Sequence, residues 1–193
     1  MTTAERSATD SAMNGSEPMV RLARRDDIPQ IRALMDLAIS RLLPAFLSPE
    51  AVEASFELMG LDTQLIEDAS YYLVEVDGRL AGCGGWSRRA TLFGGDHTGG
   101  RDAAFVDPAT EPARIRAMYT HPDFTRRGIG RLVLEVCEAA AAQAGFTRCQ
   151  LAATLGGEPL YRACGYEPIE AFEGVSDAGV KVPLLRMGKP LVV

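Results

Sequence analysis

Apolar residues in the first part of the chain predict one short strand followed by helices. Residues 19–23 alternate between apolar and polar side chains, as a half-buried strand does. From Asp27 onward the apolar residues recur every three or four positions, which predicts an amphipathic helix that ends at Pro44. Ser-Pro-Glu is a good helix start, so a second helix is predicted over 48–59, and a short helical turn over 62–68.

Two apolar runs after residue 70 predict a β-hairpin. Tyr71–Val76 and 80–87 are separated by Asp77-Gly78, a pair that readily adopts the positive φ angles of a tight hairpin turn. The second run contains three glycines within four positions. Glycine inside a strand indicates either a bulge or a close approach of another backbone.

The second half of the chain alternates between strand and helix patterns. Ala113–Thr120 is predicted to be a strand, with Ile115, Ala117 and Tyr119 on one face and Arg114, Arg116 and Met118 on the other. An amphipathic helix is predicted to begin at Ile129. A strand over 149–154, a short helix over 159–164 and strands over 166–172 and 182–187 follow. The whole order predicts a mixed α/β fold.

Composition is that of one globular domain. The chain has 193 residues, of which 47% are hydrophobic and 24% charged. Residues 1–18 are small and polar, so we predict a flexible tail there and a single domain over 19–193. The four cysteines are widely spaced without a C-x-x-C pair, which indicates reduced thiols, a cytoplasmic location and no structural metal site.

The net charge of -6 at pH 7 argues against several kinds of partner. A protein that binds nucleic acid or an anionic membrane surface usually carries the opposite charge balance. The sequence also lacks a run of about 20 apolar residues, the length that a membrane-spanning helix needs. We therefore expect neither a nucleic acid nor a membrane as a partner.

The segment between the strand at 113–120 and the following helix is a candidate anion site. The first amides of a helix have no partner within it, and they attract anions. Gly128 and Gly130 would let a ligand lie directly against this backbone, and Arg126, Arg127 and Arg131 add positive charge. A Walker sequence is missing, and Val133 stands where a dinucleotide-binding loop needs a third small residue.

Two segments resemble the GNAT superfamily of N-acetyltransferases. Arg127-Gly128-Ile129-Gly130 is similar to the family's acetyl-CoA-binding sequence, although Thr125 stands where an arginine or glutamine is usual. The segment 159–166, PLYRACGY, is similar to a later helix and turn of the family. The resemblance implies an α/β (α+β) domain with a mostly antiparallel central sheet of six to seven strands and about four flanking helices. It also implies a V-shaped splay between the strands at 113–120 and 149–154.

The resemblance further implies how acetyl-CoA, the co-substrate, would be held. The pyrophosphate would lie on the segment Arg126, Arg127, Gly128, Ile129, Gly130 and Arg131. Backbone groups of Met118 and Thr120 would pair with the pantetheine arm, and Tyr161 would be the acid that protonates the departing thiolate. The acceptor amine would attack the thioester directly, in a ternary complex.

The acceptor side of the site is less specified by the sequence. Some members of the family carry a glutamate base on the strand, and Arg116 stands at that position here. Tyr119, His121 or a chain of water molecules are the remaining bases, and Arg116 is instead a candidate contact for an acidic group of the substrate. Tyr71, Trp86, Arg116 and Tyr119 are predicted to line the substrate pocket.

Other interpretations stay open at this point. A chain of this kind can bind acyl-CoA as a sensor without turnover, and the missing glutamate is consistent with that alternative. Gly82-Cys83-Gly84-Gly85-Trp86 faintly resembles the nucleophile segment of papain-like hydrolases, but Gly85 replaces the nucleophile. The acceptor is a small-molecule or peptide amine, and a homodimer is compatible with the family.

Overall fold

The computed structural model describes residues 17–99 and 101–191, and they form one seven-stranded sheet. The predicted tail lies outside these residues, apart from residues 17 and 18. The strands are β1 (Met19–Leu22), β2 (Tyr71–Val76), β3 (Arg79–Ser87), β4 (Ala113–Thr120), β5 (Arg148–Thr154), β6 (Glu167–Val175) and β7 (Lys181–Pro190). Their order in the sheet is β1-β2-β3-β4-β5-β7-β6. Only β4 and β5 pair in parallel, which confirms the mostly antiparallel sheet predicted from the sequence.

Five α-helices accompany the sheet in the part of the chain that the structure describes. They are α1 (Ile28–Leu42), α2 (Pro49–Leu58), α3 (Thr63–Glu67), α4 (Ile129–Gln143) and α5 (Glu158–Ala163). The sequence predicted about four, and the difference is α3, the short turn expected over 62–68. Ser48 caps α2, since its hydroxyl accepts a hydrogen bond of 3.3 Å from the amide of Ala51.

The sheet buries apolar side chains on both faces. Val133 and Leu134 of α4 pack on one face, in a cluster that includes Trp86. Ile31 of α1 and Leu65 of α3 pack on the other face. The sheet is therefore a middle layer between helices, and ligand access requires an interruption of that layer.

That interruption lies between β4 and β5. The two strands pair only through Ala113 with Cys149 and Arg114 with Gln150. Beyond these two pairs the strands separate, so the residues of β4 after Arg114 have no strand partner on that side. The structure thus confirms the predicted V-shaped splay.

A β-bulge in β4 contradicts one detail of the sequence analysis. Arg116 lies opposite Gly85 and Tyr119 lies opposite Cys83, so two residues of β4 face one residue of β3. Ala117, within the bulge, has a φ of 51°. The regular alternation predicted for this strand is therefore wrong. Ile115 packs in the cluster under α4, whereas Tyr119 packs against the cluster under α1 and α3.

The glycines of β3 allow α4 to lie close to the sheet. A Cβ atom on Gly84 would lie 2.7 Å from Cγ1 of Val133 and would also collide with Met118. The three glycines predicted a bulge or a close backbone approach, and the pairing of β3 with β4 has a register shift between Cys83 and Gly85. The close packing of the helix also places the first turn of α4 against the end of β4, where the candidate anion site is formed.

Candidate active site

The candidate anion site is a turn with two left-handed residues. After β4, a 3-10 turn over Pro122–Phe124 is capped by His121, whose Nδ1 accepts a hydrogen bond of 3.1 Å from the Asp123 amide. Arg126 has a φ of 62° and Gly128 a φ of 81°. This backbone path leads directly into α4, so the chain reverses within a few residues of the strand.

The first amides of α4 are available to a ligand. The earliest hydrogen bond of the helix runs from the Leu132 amide to the Gly128 carbonyl, at 3.0 Å. The amides of Ile129, Gly130 and Arg131 precede it and are donors without an intrahelical partner. A Cβ atom on Gly128 would have no atom within 4 Å, so the space in front of this turn is open. We call the segment 125–131 the cradle.

A cavity of about 870 Å³ runs from the cradle into the splay between β4 and β5. Eight of the nine residues predicted to bind acetyl-CoA line it: Met118, Thr120, Arg126, Gly128, Ile129, Gly130, Arg131 and Tyr161. Arg127 is the exception. Its guanidinium lies 4.9 Å from the centre of the Phe124 ring.

The backbone of β4 has its free edge toward the cavity. The His121 amide donates a hydrogen bond of 2.9 Å to the Ala81 carbonyl on the β3 side. Because backbone groups alternate along a strand, the amide and carbonyl groups of Thr120 and Met118 face the opposite side, which is the splay. A ligand in the splay can therefore pair with the two residues selected from the sequence.

Tyr161 lies at the inner part of this cavity. It belongs to α5, only 7% of its surface is exposed, and its ring packs edge-on against Tyr166 at 5.9 Å. Burial raises the pKa of its phenol, and the Cys137 and Cys164 thiols add to that rise. The hydroxyl therefore keeps its proton at neutral pH, and the residue lines the cavity.

Arg116 lies on the cavity wall with its charge already paired. Its Nη1 is 2.5 Å from Oδ2 of Asp62, and its Nη2 donates to the Gly94 carbonyl at 2.5 Å. Asp62 is 1% exposed and also binds Arg101, at 2.6 Å. Burial lowers the pKa of Arg116 and the Asp62 charge opposes that change. The guanidinium thus fixes a loop to the strand.

Of the other residues predicted to line the substrate pocket, one lines the cavity and two do not. Tyr119 lines the cavity, and burial raises the pKa of its phenol. Tyr71 and Trp86 do not line it, which corrects their prediction as pocket walls. Tyr71 is 1% exposed inside the core, and Trp86 packs edge-on against Phe146 at 6.0 Å. Among the described residues that line the cavity, none is an aspartate, a glutamate or a histidine, so His121 is not on the wall either.

The long loop after β3 contributes to the cavity wall. Leu92, Phe93 and Gly94 line the cavity. The two arms of the loop are joined by backbone hydrogen bonds, such as the one from the Thr91 amide to the Asp102 carbonyl at 3.0 Å. Its position against the cavity depends on Asp62, which is distant in the sequence and binds both Arg101 of the loop and Arg116 of β4.

The cysteines show no nucleophile environment. Cys83 is fully buried, and burial raises the pKa of its thiol to about 12. It lies in the middle of β3 and not in the cavity, which argues against a hydrolase nucleophile. All four cysteines are free, and within 17–99 and 101–191 no group of three His, Cys, Asp or Glu side chains could hold a metal ion.

Comparison with protein families gives one match over more than half of the chain. The family described as the acetyltransferase (GNAT) family matches residues 33–166. This range contains the cradle, β4, β5 and Tyr161. No curated protein sequence gave a significant match. None of the described helices has the length and apolar character needed to cross a membrane.

Solved structures share the fold at low sequence identity. A GCN5-related N-acetyltransferase from Rhodopseudomonas palustris superposes with a TM-score of 0.67 at 17% identity, covering 94% of this chain and all of the other. The PaiA N-acetyltransferase from Thermoplasma acidophilum, solved with coenzyme A, gives 0.61 at 13% identity, covering 91% and 99%. The ribosomal-protein-S18-alanine N-acetyltransferase from Escherichia coli gives 0.57 at 15% identity, covering 92% and 96%.

Proposed function

This chain belongs to the GNAT family of acetyltransferases, and we propose that it moves an acetyl group from acetyl-CoA to the primary amine of a small-molecule or peptide acceptor. One observation carries the proposal. Residues of the cradle, residues at the free edge of β4 and Tyr161 all line a single cavity. An anion site, a site for an extended arm and an acid are therefore arranged in the order in which acetyl-CoA would present them.

The chemistry of the cradle fits a pyrophosphate. The amides of Ile129, Gly130 and Arg131 supply donors at a helix N-terminus, where the helix dipole favours an anion. Arg126 and Arg131 add two exposed guanidinium groups on the same wall. The open space in front of Gly128 leaves room for the phosphate oxygens.

Direct transfer in a ternary complex is the mechanism that the cavity supports. Acetyl-CoA supplies a thioester carbonyl that is reactive toward an unprotonated amine. The cavity continues past Tyr161, so donor and acceptor can be bound together. Tyr161 lines the cavity and is the acid of this proposal, because burial keeps the proton on its phenol at neutral pH. The buried thiol of Cys83 supports this mechanism, since it is not placed to carry the acetyl group.

Thiol release from acetyl-CoA tests the proposal. The full chain is incubated with acetyl-CoA and a panel of primary amines, and free CoA is measured against a control without amine. Amine-dependent release is expected, with initial-rate lines that intersect when both substrates are varied. Parallel lines would contradict direct transfer, because they indicate a covalent acetyl-enzyme.

A non-catalytic acyl-CoA sensor is the second candidate. The observation in its favour is that no described carboxylate or histidine lines the cavity to act as a base. The same assay separates the two functions. Tight CoA binding without amine-dependent thiol release, over the whole panel, would favour the sensor.

Location and assembly remain predictions. The four free thiols support a reducing compartment such as the cytoplasm. β6 lies at the edge of the sheet with Ile169 and Val175 more than half exposed, which supports the predicted homodimer. Light scattering after size-exclusion chromatography tests the dimer, and a monomer at high protein concentration would contradict it.

A further inference from the structure

The cavity continues beyond Tyr161 into a space with apolar walls, which we call the acceptor chamber. Its walls come from the turn after α1, the end of α2, the loop after β3 and β7. The residues that define it are Phe46, Leu58, Met59, Leu92, Phe93 and Leu184. These segments lie far apart in sequence, but they meet at the end of the cavity that is opposite the cradle.

Contacts between the walls show that the chamber is a continuous apolar surface. A Cβ atom on Gly174 would lie 3.0 Å from Leu58 and 3.5 Å from Leu184, so these two leucines meet over one glycine. Phe93 packs against Phe172 with ring centres 5.6 Å apart. Phe46 is 48% exposed, a large value for an aromatic ring that faces a cavity, and it is available to cover a ligand.

The charges that line the cavity are concentrated away from the chamber. Arg126 and Arg131 belong to the cradle. Arg41 lies at the end of α1, the helix that contacts the 3-10 turn Pro122–Phe124 just before the cradle. Arg116 is the remaining charged residue among the described residues that line the cavity. Its ion pair with Asp62 neutralises its charge.

The acidic groups nearest to the chamber are engaged elsewhere. Asp62 is buried behind the wall between Arg116 and Arg101. Both carboxylate oxygens of Asp96 accept hydrogen bonds from the Thr63 amide, at 3.0 and 3.2 Å. The Glu57 carboxylate accepts from the Asp177 amide on the outer surface. None of these carboxylates lines the cavity, so a second ammonium group in the chamber would find no counter-charge.

We propose that the acceptor is a primary monoamine with an apolar body, which the acceptor chamber binds. This inference rests on the proposed function and names its substrate class. Burial of the alkyl or aromatic body supplies the affinity, since each buried CH₂ group favours the bound state. A polyamine, an aminoglycoside or a lysine-rich peptide would have to desolvate further cations without a partner, which is strongly unfavourable.

The transfer step balances for such an acceptor. The unprotonated amine forms a nitrogen–carbon bond to the acetyl carbonyl, and the carbon–sulfur bond of acetyl-CoA breaks. The sulfur takes a proton from Tyr161 Oη, and the nitrogen releases one proton, which replaces the proton that the phenol has lost. The products are the neutral N-acetyl amide and CoA thiol, so no further reactant is required.

Matched amines test the substrate class. Hexylamine and 1,6-diaminohexane have the same length, and they differ in a second cation. We expect kcat/KM to favour hexylamine by about tenfold or more. Along the series from propylamine to hexylamine, kcat/KM should rise by about threefold to fourfold per CH₂ group. Equal kcat/KM values for the two amines, or a higher value for the diamine, would overturn the inference.

A charge placed in the chamber supplies an independent test. Met59 is half-buried on the chamber wall, and Met59→Glu introduces the carboxylate that the wall lacks. We expect the hexylamine to diaminohexane ratio to fall by about tenfold, with CoA affinity unchanged. Phe105→Ala is the matched control in the loop, because Phe105 is 65% exposed and does not line the cavity. It should leave the ratio as it is.

Failure of this inference is distinguishable from failure of the proposed function. Absence of thiol release with every amine, together with CoA binding, would contradict the transferase and the monoamine acceptor alike. Thiol release that favours diamines, or a ratio that Met59→Glu leaves unchanged while the variant stays folded by circular dichroism, would overturn the apolar monoamine alone.

Discussion

The hydroxyl of Tyr71 donates a hydrogen bond of 2.9 Å to the carbonyl of Ala117. Ala117 is the residue of the β4 bulge with a positive φ, a conformation that costs a non-glycine residue about 1 kcal/mol or more. The hydroxyl also lies 3.2 Å from the sulfur of Cys83. A buried tyrosine thus holds the irregular backbone of the strand that borders the cavity.

Replacing Tyr71 by phenylalanine should destabilise the bulge. Tyr71→Phe leaves the buried Ala117 carbonyl without its donor, so the free energy of unfolding should fall by about 1–2 kcal/mol. Because Met118 and Thr120 follow the bulge, the Kd for CoA should rise as well. Denaturant unfolding and calorimetric titration measure the two effects. Tyr72→Phe, at a half-buried neighbour, is the control; an equal loss in both variants would contradict this assignment.

Replacing Tyr161 by phenylalanine should slow the reaction and spare binding. If its hydroxyl protonates the departing sulfur, Tyr161→Phe lowers kcat by about 10²-fold to 10⁴-fold. Since burial raises the pKa of this phenol above its ordinary value of 10.0, its proton is retained below that pH and lost only above it. The kcat of the unchanged enzyme should therefore show no alkaline decline from Tyr161 up to about pH 10.

The control for Tyr161 is its ring partner. Tyr166 packs against Tyr161 but does not line the cavity, so Tyr166→Phe should keep kcat within about threefold of the parent. A similar loss of kcat in both variants would indicate a packing effect. Unchanged kcat in Tyr161→Phe would exclude the hydroxyl as the acid.

Adding a methyl group at Gly128 should weaken the cradle. The φ of 81° costs alanine about 1–2 kcal/mol, although no protein atom lies within 4 Å of the added carbon. We expect Gly128→Ala to lower the free energy of unfolding by that amount and to raise the Kd for CoA. Gly99→Ala is the matched control, because Gly99 also has open space around it but has no positive φ. It should leave the Kd for CoA unchanged. Wild-type CoA affinity in Gly128→Ala would argue against the cradle as the phosphate site.

The ion pair between Arg21 and Asp27 should make stability depend on pH. Oδ2 of Asp27 lies 2.8 Å from Nη1 of Arg21, and that contact, with the Arg24 amide, lowers the pKa of Asp27 from 3.8 to about 2. The folded state thus binds the proton less tightly than the unfolded state. The stabilisation is fully present above pH 3.8 and is lost as the pH falls through about 2.

Asp27→Asn measures this contribution. Because the Arg21 side chain is 32% exposed, solvent screening reduces the effect, and we expect a loss of about 1 kcal/mol near pH 7. The difference from the parent should shrink as the pH is lowered from about 5 to about 2. Asp26→Asn, at an exposed neighbour, should show little change at either pH. A difference for Asp27→Asn that does not vary with pH would refute the linkage.

Local chemistry explains which parts of the site were predictable from the sequence. The cradle was predictable because Gly128, Gly130 and three arginines are adjacent in the chain, and helix amides bind anions wherever they occur. The hairpin was predictable from Asp77-Gly78 for the same reason. The conformation of each of these elements depends on a few consecutive residues, so the local amino-acid sequence is enough to predict it.

The missed features depend on contacts between distant segments. Arg116 forms an ion pair with Asp62. Tyr71 donates a hydrogen bond to the carbonyl of Ala117, which is 46 residues away in the sequence. The bulge reverses the faces of β4, so an alternation that was locally reasonable assigned Ile115 and Tyr119 to the same side. Nothing local in a strand sequence encodes an extra residue in the register, since that is decided by the partner strand.

The two residue pairs that join β4 to β5 have a consequence for the stability of this protein. A CoA thioester bound in the splay would offer hydrogen-bonding partners to the backbone edges beyond them and so tie the two halves of the sheet together. At a concentration 100 times its Kd, such a ligand adds about 2.7 kcal/mol to the unfolding free energy. The melting temperature of this chain would then rise with the concentration of acetyl-CoA.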